Sequence, residues 1–181
     1  FVSVPLYFGY LINGHDLQYH LLRIEGIKDG LLEGDFPIKI QSNWLKGNGY
    51  ATAVFYGDLF LYIPAILRLC GFSIAQSYNI YVFLCNAATC VIAYFCFKGM
   101  SGRRKTAAVG AVLYTTSIYR LLDVYVRSSV GEYSAMTFLP MIAYGLWKIY
   151  NDDCDEKNYK RNWIIPVLGF TGIINTHTLT C

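Results

Sequence analysis

The chain has 181 residues, of which 55% are hydrophobic and only 15% charged. Soluble domains carry about 25% charged residues, so the balance points to a chain built for a bilayer. The net charge of +3 comes from a few clustered bases, which leaves no basic surface of the kind that nucleic acid requires.

A membrane helix needs roughly 20 apolar residues. Residues 1–12 read as the tail of one such helix, and the sequence stops soon after another apolar run, so a fragment truncated at both ends is expected. Asp16–Glu33 has the three-and-four spacing of an amphipathic helix, with Leu17, Leu21, Ile24, Ile27 and Leu31 on one side. Gly34 and Pro37 should stop it. A polar loop at 41–52 follows. The segment 54–70 holds Asp58, Pro64 and Arg68, and reads as a second interfacial helix. Further spans are expected at 78–97, 106–118, 133–150 (interrupted by Pro140) and 163–178.

The fold class is therefore all-α: polytopic membrane helices with two interfacial helices in a long first external loop. Orientation follows the lysine and arginine bias. Lys98, Arg103, Arg104 and Lys105 form the densest basic loop, and Lys157, Lys160 and Arg161 a second. With both loops cytoplasmic, residues 13–76 lie outside. The six cysteines, Cys70, Cys85, Cys90, Cys96, Cys154 and Cys181, contain no CxxC pair and read as apolar packing groups.

Ionisable groups gather at the expected outer face. Asp16 and His20 are one helical turn apart, with Arg23 three residues on. The second external loop supplies Arg120, Asp123, Arg127 and Glu132, and the last span ends near His177. Arginine suits bidentate contact with phosphate, from a bound substrate or a lipid headgroup. Asp16 and His20 alone are too few to make a metal site.

The run Gly14-His15-Asp16-Leu17-Gln18-Tyr19-His20-Leu21-Leu22-Arg23-Ile24-Glu25-Gly26, followed by Gly30 to Pro37, resembles the first external loop of the YfhO-like proteins. It also resembles the bacterial membrane family labelled "6-pyruvoyl-tetrahydropterin synthase-related", although nothing here looks like a pterin site. Arg127-Ser128-Ser129-Val130-Gly131-Glu132-Tyr133, leading to Phe138-Leu139-Pro140, is similar to that group's second external motif.

The resemblance implies a GT-C-like glycosyltransferase in a bacterial cytoplasmic membrane, with its active site facing outward. It implies a polyprenyl-phosphate-linked sugar as donor, membrane lipid as surroundings and an extracytoplasmic acceptor. Carried over, the catalytic acids fall on Asp16 and Glu132. Substrate contacts then fall to His20, Arg23, Arg120, Arg127 and His177. Many such enzymes have two adjacent acids in the first motif; His15 stands in one of those places here, which leaves a divalent metal an open question. Two other classes compete: a transporter or flippase of a lipid-linked or anionic substrate, which should show broken helices and charges within spans, and a non-catalytic membrane scaffold.

Overall fold

A computed structural model describes residues 1–8, 11, 13–151 and 162–177. Lys157, Lys160, Arg161, Cys154, Cys181 and the end of the 163–178 segment lie outside the described residues. The described residues are helical, with no strand and one antiparallel bridge between Gln41 and Tyr50.

The first amphipathic helix forms where its periodicity places it, as α1 (Leu17–Glu33). Gly34 ends it in the left-handed region at φ 89°, and its N–H returns to the Gly30 and Leu31 carbonyls. Ile24 and Ile27 on α1 are fully buried, in one core with Leu61 and Ala65. The segment 54–70 is not one helix. It divides into α2 (Thr52–Phe55), a 3-10 turn at Leu59–Leu61 and α3 (Tyr62–Leu69). The break falls at Gly57, which lies against the Asn175 backbone, and at Asp58, which turns toward α1 to meet Arg23.

The longest element is α4 (Ile74–Ser101), opened by a capping box between Ser73 and Gln76 and closed by Gly102 at φ 66°. It extends past 78–97 at both ends because these caps lie outside the apolar stretch. Among the described residues it is the one helix long and apolar enough to cross a membrane by length and composition.

Two chain segments run along α4, and both are broken. α5 (Arg104–Thr115) folds back antiparallel, with Gly110 against Phe97. At its end the Thr115 and Thr116 hydroxyls bond back to the Ala111 and Val112 carbonyls at 2.8 and 2.7 Å, a contact that weakens and bends a helix. The chain continues as α6 (Ile118–Leu122) and one wide π turn at Asp123–Arg127. It then reverses at Ser128, φ 56°, into α7 (Val130–Ala135) and α8 (Leu139–Asn151). These climb α4 in the same direction as α4 itself: Ser134 meets Tyr81, Thr137 meets Thr89, and Tyr144 packs on Gly99.

The expected 133–150 helix is thus interrupted at 136–138. Pro140 carries no N–H for the Met136 carbonyl one turn back. The Tyr114 hydroxyl donates to that carbonyl instead, at 2.6 Å.

The last helix, α9 (Ile164–Ile174), returns antiparallel to α8, with Pro166 on Gly145 and Phe138 on Gly172. That direction delivers His177 to the end of the bundle where α1 begins. At the N-terminus the expected helix tail is a 3-10 turn at Val4–Phe8. Pro5 removes one backbone donor there, and polar contacts from Asn86 to Ser3 and from Tyr125 to the Val2 carbonyl hold the segment.

Candidate functional site: a cleft between the first helix and the 127–132 turn

The start of α1 is fastened to the π turn through main chain. His15 N–H donates to the Val126 carbonyl at 3.3 Å and Asp16 N–H to the Arg127 carbonyl at 2.9 Å. A side chain at Gly14 would collide with Ser128, so the absence of a Cβ permits this approach. The two polar motifs, over a hundred residues apart in sequence, therefore meet.

Their meeting forms a cleft of ≈ 630 Å³. Asp16, His20, Arg127, Glu132 and His177 all line it, joined by Tyr19, Tyr50 and Tyr56. Five of the seven residues expected at a site are thus brought together, from three separate segments. Asp16 sits at the N-cap of α1, but its side chain caps no backbone N–H, and its exposed carboxylate makes no hydrogen bond among the described residues.

Glu132, by contrast, is engaged on both oxygens. Tyr119 Oη donates to Oε1, and Arg127 Nη1 donates to Oε2 at 2.9 Å. The same Nη1 donates to Asp123 Oδ1 at 2.6 Å, and Asp123 is fully buried. Arg127 is therefore held by two carboxylates while it still lines the cleft.

Arg23 and Arg120 are not cleft residues. Arg23 is 1% exposed. Its Nη2 donates to the Gly57 carbonyl at 3.0 Å and to the Asp58 carboxylate, and the Tyr19 and Tyr56 rings cover it at 5.7 and 5.4 Å. The sequence held the signal for this pair: Asp58 lies in an apolar stretch, and a buried carboxylate requires a cation.

Arg120 is also 1% exposed. It is not an external loop residue, because the break after α5 turns it inward. Nη1 donates to Asn86 Oδ1 at 2.6 Å and Nη2 to Thr89 Oγ1 at 3.0 Å, about half way along α4. Burial demands these partners, and they withdraw it from any ligand in the cleft.

No cluster of three His, Cys, Asp or Glu side chains is placed to hold a metal ion among the described residues. The cleft offers a metal little: Asp16 is its one uncommitted carboxylate, since both Glu132 oxygens are already occupied.

Of the two histidines on the cleft wall, His20 is held neutral. Burial, then the Arg23 charge and His177, push the His20 imidazolium down to about 3. Asp58 moves the other way: burial raises its carboxyl, against the opposing pull of Arg23.

A protein of Lactococcus lactis subsp. cremoris (strain MG1363), described only as uncharacterized, is similar to this chain. It is 22% identical over an alignment 182 positions long, which covers 98% of this chain. The chain spans 29% of the length of that relative. No family model matches the sequence, and no solved structure matches the fold.

Proposed function

We propose that this chain is the N-terminal part of a polytopic membrane glycosyltransferase with a GT-C-like fold. It would take a sugar from a polyprenyl-phosphate donor and pass it to an extracytoplasmic acceptor at the outer face of a bacterial cytoplasmic membrane. The observation that carries this reading is the cleft. An uncommitted carboxylate, Asp16, shares its wall with a held arginine, Arg127. Asp16 takes the acceptor hydroxyl's proton as the sugar leaves its phosphate. Arg127 faces the charge that grows on that phosphate, and Glu132 keeps Arg127 in place.

Topology supports the same reading through the lysine and arginine bias. α4 crosses inward, the broken α5–α6 run crosses outward, α7–α8 crosses inward and α9 outward, while α1 to α3 stay in the outer interface. The test is photocrosslinking of the full-length protein with a photoactivatable polyprenyl-phosphate sugar. Labelling within 14–20 and 127–132, competed by unmodified donor, is the expected result. Absence of competed labelling there refutes the assignment.

The transporter reading draws on a different observation. Both segments alongside α4 break near Thr89, and Arg120 is buried there on neutral partners. Discontinuous helices with polar groups at mid-bundle are a feature of transport sites. Counterflow of a lipid-linked sugar in proteoliposomes without chemical turnover would select that reading.

A further inference from the structure

His20 lines the cleft and is 4% exposed. Behind it, Arg23 Nη1 stands 3.4 Å from the ring's Nδ1. A guanidinium has donors only, so this contact needs the lone pair on Nδ1. The single proton of a neutral imidazole is then on Nε2. Arg23 is itself fixed, by the Gly57 carbonyl, by the Asp58 carboxylate and by the Tyr19 and Tyr56 rings on its guanidinium.

Nε2 makes no hydrogen bond among the described residues. Burial opposes a second proton on the ring first, and Arg23 behind it and His177 on the same cleft wall add to that. The nearest cleft carboxylate in sequence, Asp16, lies one helical turn away and makes no bond to the ring.

We propose that Asp58 and Arg23 are positioning residues that hold His20 as the Nε2–H tautomer, so that His20 gives a fixed hydrogen bond to a phosphate oxygen of the ligand in the cleft. The arrangement specifies a donor that neither accepts nor loses a proton during turnover. Proton transfer then falls to Asp16. The identity of the ligand rests on the sugar-transfer reading; the tautomer does not.

The test uses the full-length protein labelled with ¹⁵N in its histidine rings, with the His20 signals identified by their loss in His20→Gln. Between about pH 5 and about pH 8, wild-type His20 should show a bare Nδ1 and a protonated Nε2 with no titration. Addition of citronellyl phosphate should move the Nε2 signal and leave Nδ1 in place. In Asp58→Asn the two nitrogens should average between tautomers. If that variant does not fold, Arg23→Met is read in its place, and a tautomer that stays fixed in the variant that folds overturns the positioning role.

A protonated Nδ1, or a titration centred near 6.5 in the wild type, overturns the tautomer. A fixed tautomer with no response to citronellyl phosphate overturns the phosphate contact. Failure of sugar transfer itself appears elsewhere, as absent donor turnover alongside an intact tautomer and phosphate response.

Discussion

Removing the charge on Asp58 should destabilise the protein more than removing the whole ion pair. Arg23 is 1% exposed and Asp58 8%, and Asp58 is the carboxylate in contact with Arg23. Asp58→Asn keeps an acceptor of similar shape but leaves a buried guanidinium with no countercharge. Breaking a buried pair from one side costs about 3–5 kcal/mol. The retained amide oxygen and the 3.0 Å bond to the Gly57 carbonyl place this case near the lower end, about 3 kcal/mol.

The double variant Arg23→Met/Asp58→Leu buries no charge. Replacing a buried pair by apolar groups is often neutral or stabilising, so it should lose less than Asp58→Asn alone. The assay is reversible unfolding in detergent, followed by helical circular dichroism, for Asp58→Asn and for the closed cycle of wild type, Arg23→Met, Asp58→Leu and the double variant. The reasoning fails if Asp58→Asn stays within about 0.5 kcal/mol of wild type, or if the double variant loses the sum of the two singles.

Further outcomes follow from the same contacts. Gly14→Ala should cost about 1–3 kcal/mol by overpacking against Ser128, measured by the same unfolding assay, and should loosen the cleft. Arg127→Ala should raise the donor KM as well as lower kcat, because the phosphate contact is made in the ground state and strengthens as charge grows in the transition state; steady-state kinetics will show whether both change. Burial raises the Glu25 carboxyl, but hydrogen bonds from Arg68 and Lys28 outweigh it, so its folded pKa lies below the ordinary 4.5. The stabilisation is then present above about 4.5 and lost as pH falls through the lower folded value; Glu25→Gln should cost about 0.5–1 kcal/mol at neutral pH and nothing in strong acid. A cysteine at Ser101, in the full-length protein with its native cysteines, the exposed Cys70 among them, replaced by serine, should resist labelling by an impermeant reagent from outside intact cells; ready labelling reverses the proposed topology.

The parts of this fold written in local pattern were legible in the sequence. The stripe on α1, its Gly34 stop and the long apolar α4 follow from periodicity and punctuation alone. The breaks were harder to read. Thr115 and Thr116 satisfy their own helix's carbonyls, and Pro140 frees a carbonyl that Tyr114 reaches from another helix; only the second needs a tertiary partner. Five residues that line the candidate cleft were singled out in the sequence because charge in an apolar chain collects where water or a ligand can meet it. Arg23 and Arg120 departed from that rule for one reason: buried acceptors elsewhere, Asp58 in one case and Asn86 with Thr89 in the other, took their donors. An acid in an apolar stretch, Asp58, signals that some cation must be buried with it, but sequence spacing does not say which one. The tyrosines of the cleft carried no distinguishing mark among 16 tyrosines.

The most direct test of the central claim is sugar release from a polyprenyl-phosphate donor by the full-length protein, wild type against Asp16→Asn. The amide preserves shape and hydrogen bonding but cannot accept a proton. Loss of a general base typically lowers kcat by roughly 10²–10⁴-fold, and a fall of that order, with folding and donor binding retained, is the predicted result. Equal turnover by the two proteins would remove Asp16 from the chemistry and contradict the account.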